Sequence, residues 1–143
     1  MAYLLDVNVL IARTDPRHES HAAVRAWLTA VGAEKLLFCP LVENGFLRIY
    51  GNPAYPEGPG SPGRAAVDLH DMRALPNATF VPDDVSIDDT ALFASTVDLA
   101  PRQLTDVYLL GLAVSKGAKF ATLDGRIPAN AVYGGYDALT VIS

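Results

Sequence analysis

Residues 36–50 read Leu36-Leu37-Phe38-Cys39-Pro40-Leu41-Val42-Glu43-Asn44-Gly45-Phe46-Leu47-Arg48-Ile49-Tyr50. The first four form an apolar run of strand length. Pro40 then supplies a fixed φ suited to the first turn of a helix. Leu41, Val42, Phe46, Leu47, Ile49 and Tyr50 spread over a broad apolar face at helical spacing, and Gly51-Asn52-Pro53 ends the pattern. A strand that passes directly into a helix is the unit of an α/β fold. The same passage recurs on either side. Strand-like runs lie near 2–5, 35–39, 78–82, 119–123 and 139–142. Helical patterns are predicted over 19–32, where Val24, Trp27, Leu28 and Val31 fall at i, i+3, i+4 and i+7, and over 40–50 and 64–75. Two more are predicted over 86–98, opened by Ser86 with Asp89 three residues on, and over 105–116, apolar nearly all round. This alternation predicts an α/β/α sandwich with a mostly parallel central sheet of about five strands. The length suits one domain over 1–143.

Two segments interrupt the alternation. Residues 52–63 hold four prolines and three glycines and can be neither helix nor central strand. They read as an irregular loop, with two readings open: a loop that holds substrate, or a surface insertion. Residues 127–136 read as a second irregular segment turning at Gly134-Gly135.

With 50% apolar residues, a chain of this size can bury roughly 70% of its unfolded surface without disulfides. The single cysteine, Cys39, sits in an apolar run and reads as a small buried hydrophobe. No basic stretch leads into a long apolar one, and no apolar run approaches the ~20 residues that span a bilayer. A cytoplasmic protein without a membrane segment is the expectation. The net charge of -5 opposes general nucleic-acid binding. The acids are unevenly spread, however: Asp83, Asp84, Asp88, Asp89 and Asp98 surround the predicted helix 86–98. Arg13, Arg17, His18, His21 and Arg25 form a basic segment that either faces phosphates or is a solvated helix face.

Four acids are predicted where strands end and helices begin: Asp6 after Tyr3-Leu4-Leu5, Glu43 after the 36–39 run, Asp106 after Thr105, and Asp124 after Phe120-Ala121-Thr122-Leu123. A parallel sheet gathers such positions on one edge, outside the carboxyl ends of its strands. Clustered carboxylates repel one another unless cations sit between them. With no cysteine or histidine in the four motifs, the set is hard and all-oxygen, which selects Mg²⁺ or Mn²⁺ over zinc. Such ions serve phosphodiester chemistry. Each acid also has a structural alternative. Glu43 and Asp106 lie in first helical turns that favour negative charge. Thr105 can be an N-cap. Asp124-Gly125 is a common turn dipeptide. Asn8 can orient Asp6 or serve as a turn residue. Arg48 and Arg13 are candidate phosphate contacts or plain surface cations. There is no P-loop, dinucleotide fingerprint or G-x-S-x-G elbow.

The ordered set Leu4-Leu5-Asp6-Val7-Asn8-Val9-Leu10, Glu43 in the helix after the second strand, Leu104-Thr105-Asp106-Val107-Tyr108-Leu109-Leu110 and Ala121-Thr122-Leu123-Asp124 resembles the PIN-domain ribonucleases. Within them it is most similar to the VapC toxins of bacterial toxin–antitoxin pairs, over essentially the whole chain. The resemblance implies a Mg²⁺-dependent endoribonuclease, with Mn²⁺ able to substitute, that cuts structured RNA such as tRNA or rRNA. It also implies a VapB-type antitoxin partner and a homodimer. It carries the catalytic and metal-binding roles onto Asp6, Glu43, Asp106 and Asp124, with Asp124 the variable one, and supporting roles onto Asn8, Thr105 and Thr122. Two alternatives stay open: a PIN-type RNA-processing nuclease that is not a toxin, and a non-catalytic metal-binding interaction module.

Overall fold

Five short strands, each flanked in sequence by helix or turn, form the sheet of the computed structural model, which describes residues 1–94 and 98–143. The strands are β1 (Ala2–Leu5), β2 (Lys35–Phe38), β3 (Ala78–Phe80), β4 (Lys119–Thr122) and β5 (Leu139–Val141). All neighbours pair in parallel, in the order β3-β2-β1-β4-β5. The three inner strands carry near-continuous apolar runs because both faces of a parallel sheet are covered: Leu4, Leu5, Leu36, Leu37, Phe38, Phe120 and Ala121 are all buried.

The helices are α1 (Val7–Thr14), α2 (His21–Val31), α3 (Pro40–Tyr50), α4 (Pro62–Arg73), α5 (Leu104–Ser115) and the four-residue α6 (Gly135–Ala138). From β1 to β2 to β3 the chain steps one way across the sheet, through α1 to α4. From β3 it returns past β1 to β4 and on to β5, through α5 and α6. Right-handed crossovers in opposite directions place the two helix sets on opposite faces. The contacts agree: α1 packs on α2 and α3, α3 on α4, and α5 on α6. This is the expected three-layer α/β arrangement. Among the described residues, no helix is long and apolar enough to cross a membrane.

Helix α1 is not legible as a separate element in the sequence. Val9, Leu10, Ile11 and Ala12 are consecutive and all buried, so no polar face reveals a helical period. What starts this helix is Asp6, whose extended backbone and side-chain carboxylate form its N-cap.

The helix predicted over 86–98 is not formed across 86–94, and residues 95–97 lie outside the described residues. Local side-chain bonds compete with the helix there: Ser86 Oγ accepts from Asp88 N and Asp89 Oδ1 from Ala91 N. Phe93 then forms an isolated antiparallel bridge with Val132. Its buried ring lies so close to Gly111 on α5 that a Cβ there would sit 2.3 Å from a ring carbon. The acids of this segment therefore line turns, not a helix face. The Pro/Gly loop is anchored as well. Tyr55 Oη donates to Asp15 Oδ2 (2.6 Å), its ring meets Tyr50 edge-on at 5.0 Å, and Glu57 pairs with Arg17. These contacts fasten the loop to the end of α1.

Candidate active site

The strand order changes direction between β1 and β4, and open α/β sheets bind ligands in the crevice beyond the strand ends at such a switch point. Asp6 stands there at the end of β1. Its backbone N donates to Ala121 O (2.9 Å), which continues the β1–β4 ladder by one step. Its side chain is fixed on both oxygens: Oδ1 accepts from Val7 N (2.7 Å) and Oδ2 from the Thr122 hydroxyl (2.7 Å). Thr122 Oγ1 in turn accepts from Asp124 N (3.1 Å). One fully buried threonine thus ties together the ends of β1 and β4 and the two acids they carry. Asp6 is itself only 5% exposed. Burial pushes its carboxyl up, the bonds from Thr122 and Val7 pull it down, and the charge of Asp124 raises it again.

Asp106 lies in the first turn of α5. Burial, and then the charges of Asp6 and Asp124, push its carboxyl up to about 6. Asp124 moves the other way. Its Oδ1 accepts from the backbone N (2.8 Å) and Nε (3.2 Å) of Arg126, which hold it below the ordinary carboxylate range. The charge of Asp124 thus reaches both Asp6 and Asp106, and that of Asp6 reaches Asp106. A cleft of about 150 Å³ opens against Asp106 and Asp124, with Arg102, Gln103, Arg126, Ile127 and Pro128 completing its lining.

Glu43 is placed differently. It occupies the first turn of α3, but Arg73 Nη1 on α4 donates to its Oε2 (2.5 Å). The Arg73 guanidinium also lies over the rings of Phe80 (5.0 Å) and Phe38 (5.9 Å). Glu43 is absent from the charges that raise Asp6 or Asp106. The structure brings Asp6, Asp106 and Asp124 together and turns Glu43 toward α4.

Thr122 thus holds both Asp6 and Asp124. Asn8 is exposed in the first turn of α1, and its side chain makes no hydrogen bond among the described residues. Thr105 is exposed inside the first turn of α5 and is not its cap, since Gln103 holds that position. Neither proposed phosphate contact lines the cleft. Arg48 is exposed beside Asn44, Asn52 and Pro53. Arg13 is half-buried in a separate cavity among Leu10, Leu28, Leu36 and Met72. His21 Nδ1 lies 2.6 Å from Ala12 O and His18 accepts from Ser20 N, so much of the basic segment is engaged locally. Arg102 and Arg126, four residues before Asp106 and two after Asp124, are the cleft's cations. Their signal in the sequence was proximity to an acid, which alone does not separate a substrate contact from a surface charge.

The donor chemistry suits a hard divalent cation, because all three groups are carboxylates and such a cation offsets both the burial and the neighbouring charges that raise Asp106. As the side chains stand, no three acidic, histidine or cysteine groups among the described residues converge closely enough to enclose an ion.

Residues 3–133 match the PIN domain family. The chain is 38% identical over 140 residues to Ribonuclease VapC44 of Mycobacterium tuberculosis, covering 94% of each chain. It is 34% identical over 134 residues to Ribonuclease VapC39 of the same organism, covering 94% of this chain and 96% of that one. Two solved structures share the fold at low identity. FitAcB from Neisseria gonorrhoeae has a TM-score of 0.59 and 20% identity, over 99% of this chain and 96% of that one. VapBC2 from Rickettsia felis bound to a promoter DNA fragment has a TM-score of 0.57 and 11% identity, over 100% of both.

Proposed function

This chain belongs to the PIN-domain family, and we propose from that premise that it is a VapC-type endoribonuclease, the toxin of a toxin–antitoxin pair, that hydrolyses phosphodiester bonds in RNA with a divalent cation. The observation that carries the reading is the aspartate cluster at the β1/β4 switch point, with Asp106 pushed up to about 6 by burial and its two neighbours. Its relatives at 38% and 34% identity bear the name ribonuclease.

Asp6, Asp106 and Asp124 would hold the cation, Mg²⁺ or Mn²⁺. When bound, such an ion neutralises charge developing on the phosphate and lowers the pKa of a water. The chain's own residues do the rest. Thr122 and the Val7 amide hold the Asp6 carboxylate in one orientation, so no reorganisation is needed when substrate arrives. Asp106 stays ionised at neutral pH only against the repulsion of its neighbours, which raises its demand for a positive partner. Glu43 is the family's fourth acid by position. To act at the same edge, it would leave its bond with Arg73.

Structured RNA such as tRNA or rRNA is the proposed substrate, a VapB-type antitoxin and a second copy of this chain the proposed partners, and the cytoplasm the proposed location. Purified protein should cleave RNA with Mg²⁺ or Mn²⁺, and lose this activity with EDTA or in Asp6→Asn, which keeps the helix cap. A wild-type protein that cleaves no cellular RNA in vitro and causes no growth defect when expressed would overturn the proposal.

A further inference from the structure

We infer that Arg102 and Arg126 form a two-sided clamp for the phosphates flanking the scissile one. This rests on the ribonuclease reading and adds to it the residues that hold the strand. The chain carries a net charge of -5, and its reactive edge holds three aspartates. A polyanionic strand approaches such an edge only if cations stand beside it. Of the residues lining the cleft at Asp106 and Asp124, two are cationic: Arg102 and Arg126. They come from different elements. Arg102 lies in the 3₁₀ turn Pro101–Gln103 that leads into α5, and Arg126 in the turn after β4. Each acid of the cleft thus has an arginine close to it in sequence, on a separate segment.

Both guanidinium groups are free to take this role. Arg102 is exposed and has no ion-pair partner among the described residues. Arg126 pairs with Asp124 through Nε, but its side chain is 93% exposed. An exposed pair of this kind contributes little. The Asp124-to-Arg126 turn is also held independently, by the bond from Arg126 N to Asp124 Oδ1. The guanidinium can therefore exchange the carboxylate for a phosphate while the turn stays formed. Arginine suits this task because its planar fork matches two phosphate oxygens at once.

The test is RNA binding measured apart from cleavage. Asp6→Asn protein, full length, is titrated with a fluorescently labelled, mixed-sequence oligoribonucleotide across a range of salt, alone and combined with Arg102→Gln, Arg126→Gln or both. Each substitution should weaken binding and flatten the plot of log K against log salt by about 0.7 for a single strand, the contribution of one phosphate contact. Arg102→Lys and Arg126→Lys should restore the slope. Arg48→Gln, which removes the same charge away from the cleft, should leave it unchanged. Unchanged slopes in Arg102→Gln and Arg126→Gln, an equal drop in Arg48→Gln, or no RNA binding by the parent would each overturn the clamp. Failure of the ribonuclease reading looks different: wild type that binds RNA with the predicted slopes but cleaves none of it.

Discussion

Replacing Asp106 by Asn should stabilise the metal-free protein while destroying its activity. The Asp106 carboxyl is pushed from its ordinary 3.8 up to about 6, first by burial and then by Asp6 and Asp124. At ~1.4 kcal/mol per pH unit, the folded state disfavours its charged form by at most about 3 kcal/mol. Solvent at this half-buried group screens part of that, leaving about 1–2 kcal/mol. The sign follows from proton linkage. A carboxyl whose folded pKa is raised stabilises the fold only where it is protonated. That contribution is complete below about pH 4 and is lost as the pH rises through about 6. Asn is neutral throughout, so Asp106→Asn should exceed wild type near neutral pH and match it below about pH 4. The assay is thermal and urea unfolding of both proteins in EDTA across that range. The expected gain at neutral pH corresponds to a Tm higher by about 3–8 °C. Adding Mg²⁺ or Mn²⁺ should raise the wild-type Tm by mass action and narrow the gap. A variant no more stable than wild type at neutral pH, or a gain undiminished at low pH, would refute the claim that burial and the neighbouring aspartates disfavour the Asp106 charge.

Thr122→Val keeps the shape of a fully buried side chain but removes the donor to Asp6 and the acceptor for Asp124 N. Urea unfolding should show a loss of about 1–3 kcal/mol, with RNA cleavage reduced more in kcat than in KM; unchanged kcat would argue against a positioning role. Glu43→Gln should weaken Mn²⁺ binding, measured by calorimetry, less than Asp106→Asn does, because Glu43 is engaged by Arg73 rather than by the aspartates. Equal losses would show that Glu43 joins the cluster when the ion binds.

The layers of this fold were legible because each inner strand is a short apolar run and helical patterns alternate with the strands, as at Cys39-Pro40. The strand order was not legible, and it matters most for the site. Adjacency of β1 and β4 depends on a crossover from β3 over the whole sheet, and no local pattern encodes that. Helix α1 was hidden by the consecutive apolar residues Val9 to Ala12. The expected helix over 86–98 failed in 86–94 because Ser86 and Asp89, read as its cap, instead close turns, while Phe93 is drawn to Gly111 and Val132. The nearness of Asp6, Asp106 and Asp124 is legible from their places at strand and helix ends, which fix the backbone and so the neighbourhood. Glu43 occupies such a place too, yet its longer side chain reaches Arg73, thirty residues away, and sequence position cannot anticipate that choice. That Thr122 bonds Asp6 as well as Asp124 N depends on the pairing of β1 with β4, which no local pattern shows. That Arg102 and Arg126, and not Arg13 or Arg48, line the cleft at Asp106 and Asp124 is likewise a property of the assembled edge.

The aspartate cluster is proposed to cut RNA inside the cell. The most direct measurement is sequencing of RNA 5′ ends after brief expression in cells, wild type against Asp6→Asn. New 5′ ends should arise at defined positions with wild type and be absent with Asp6→Asn protein that is folded and equally abundant. The same new ends in both, or none with wild type, would contradict the proposal.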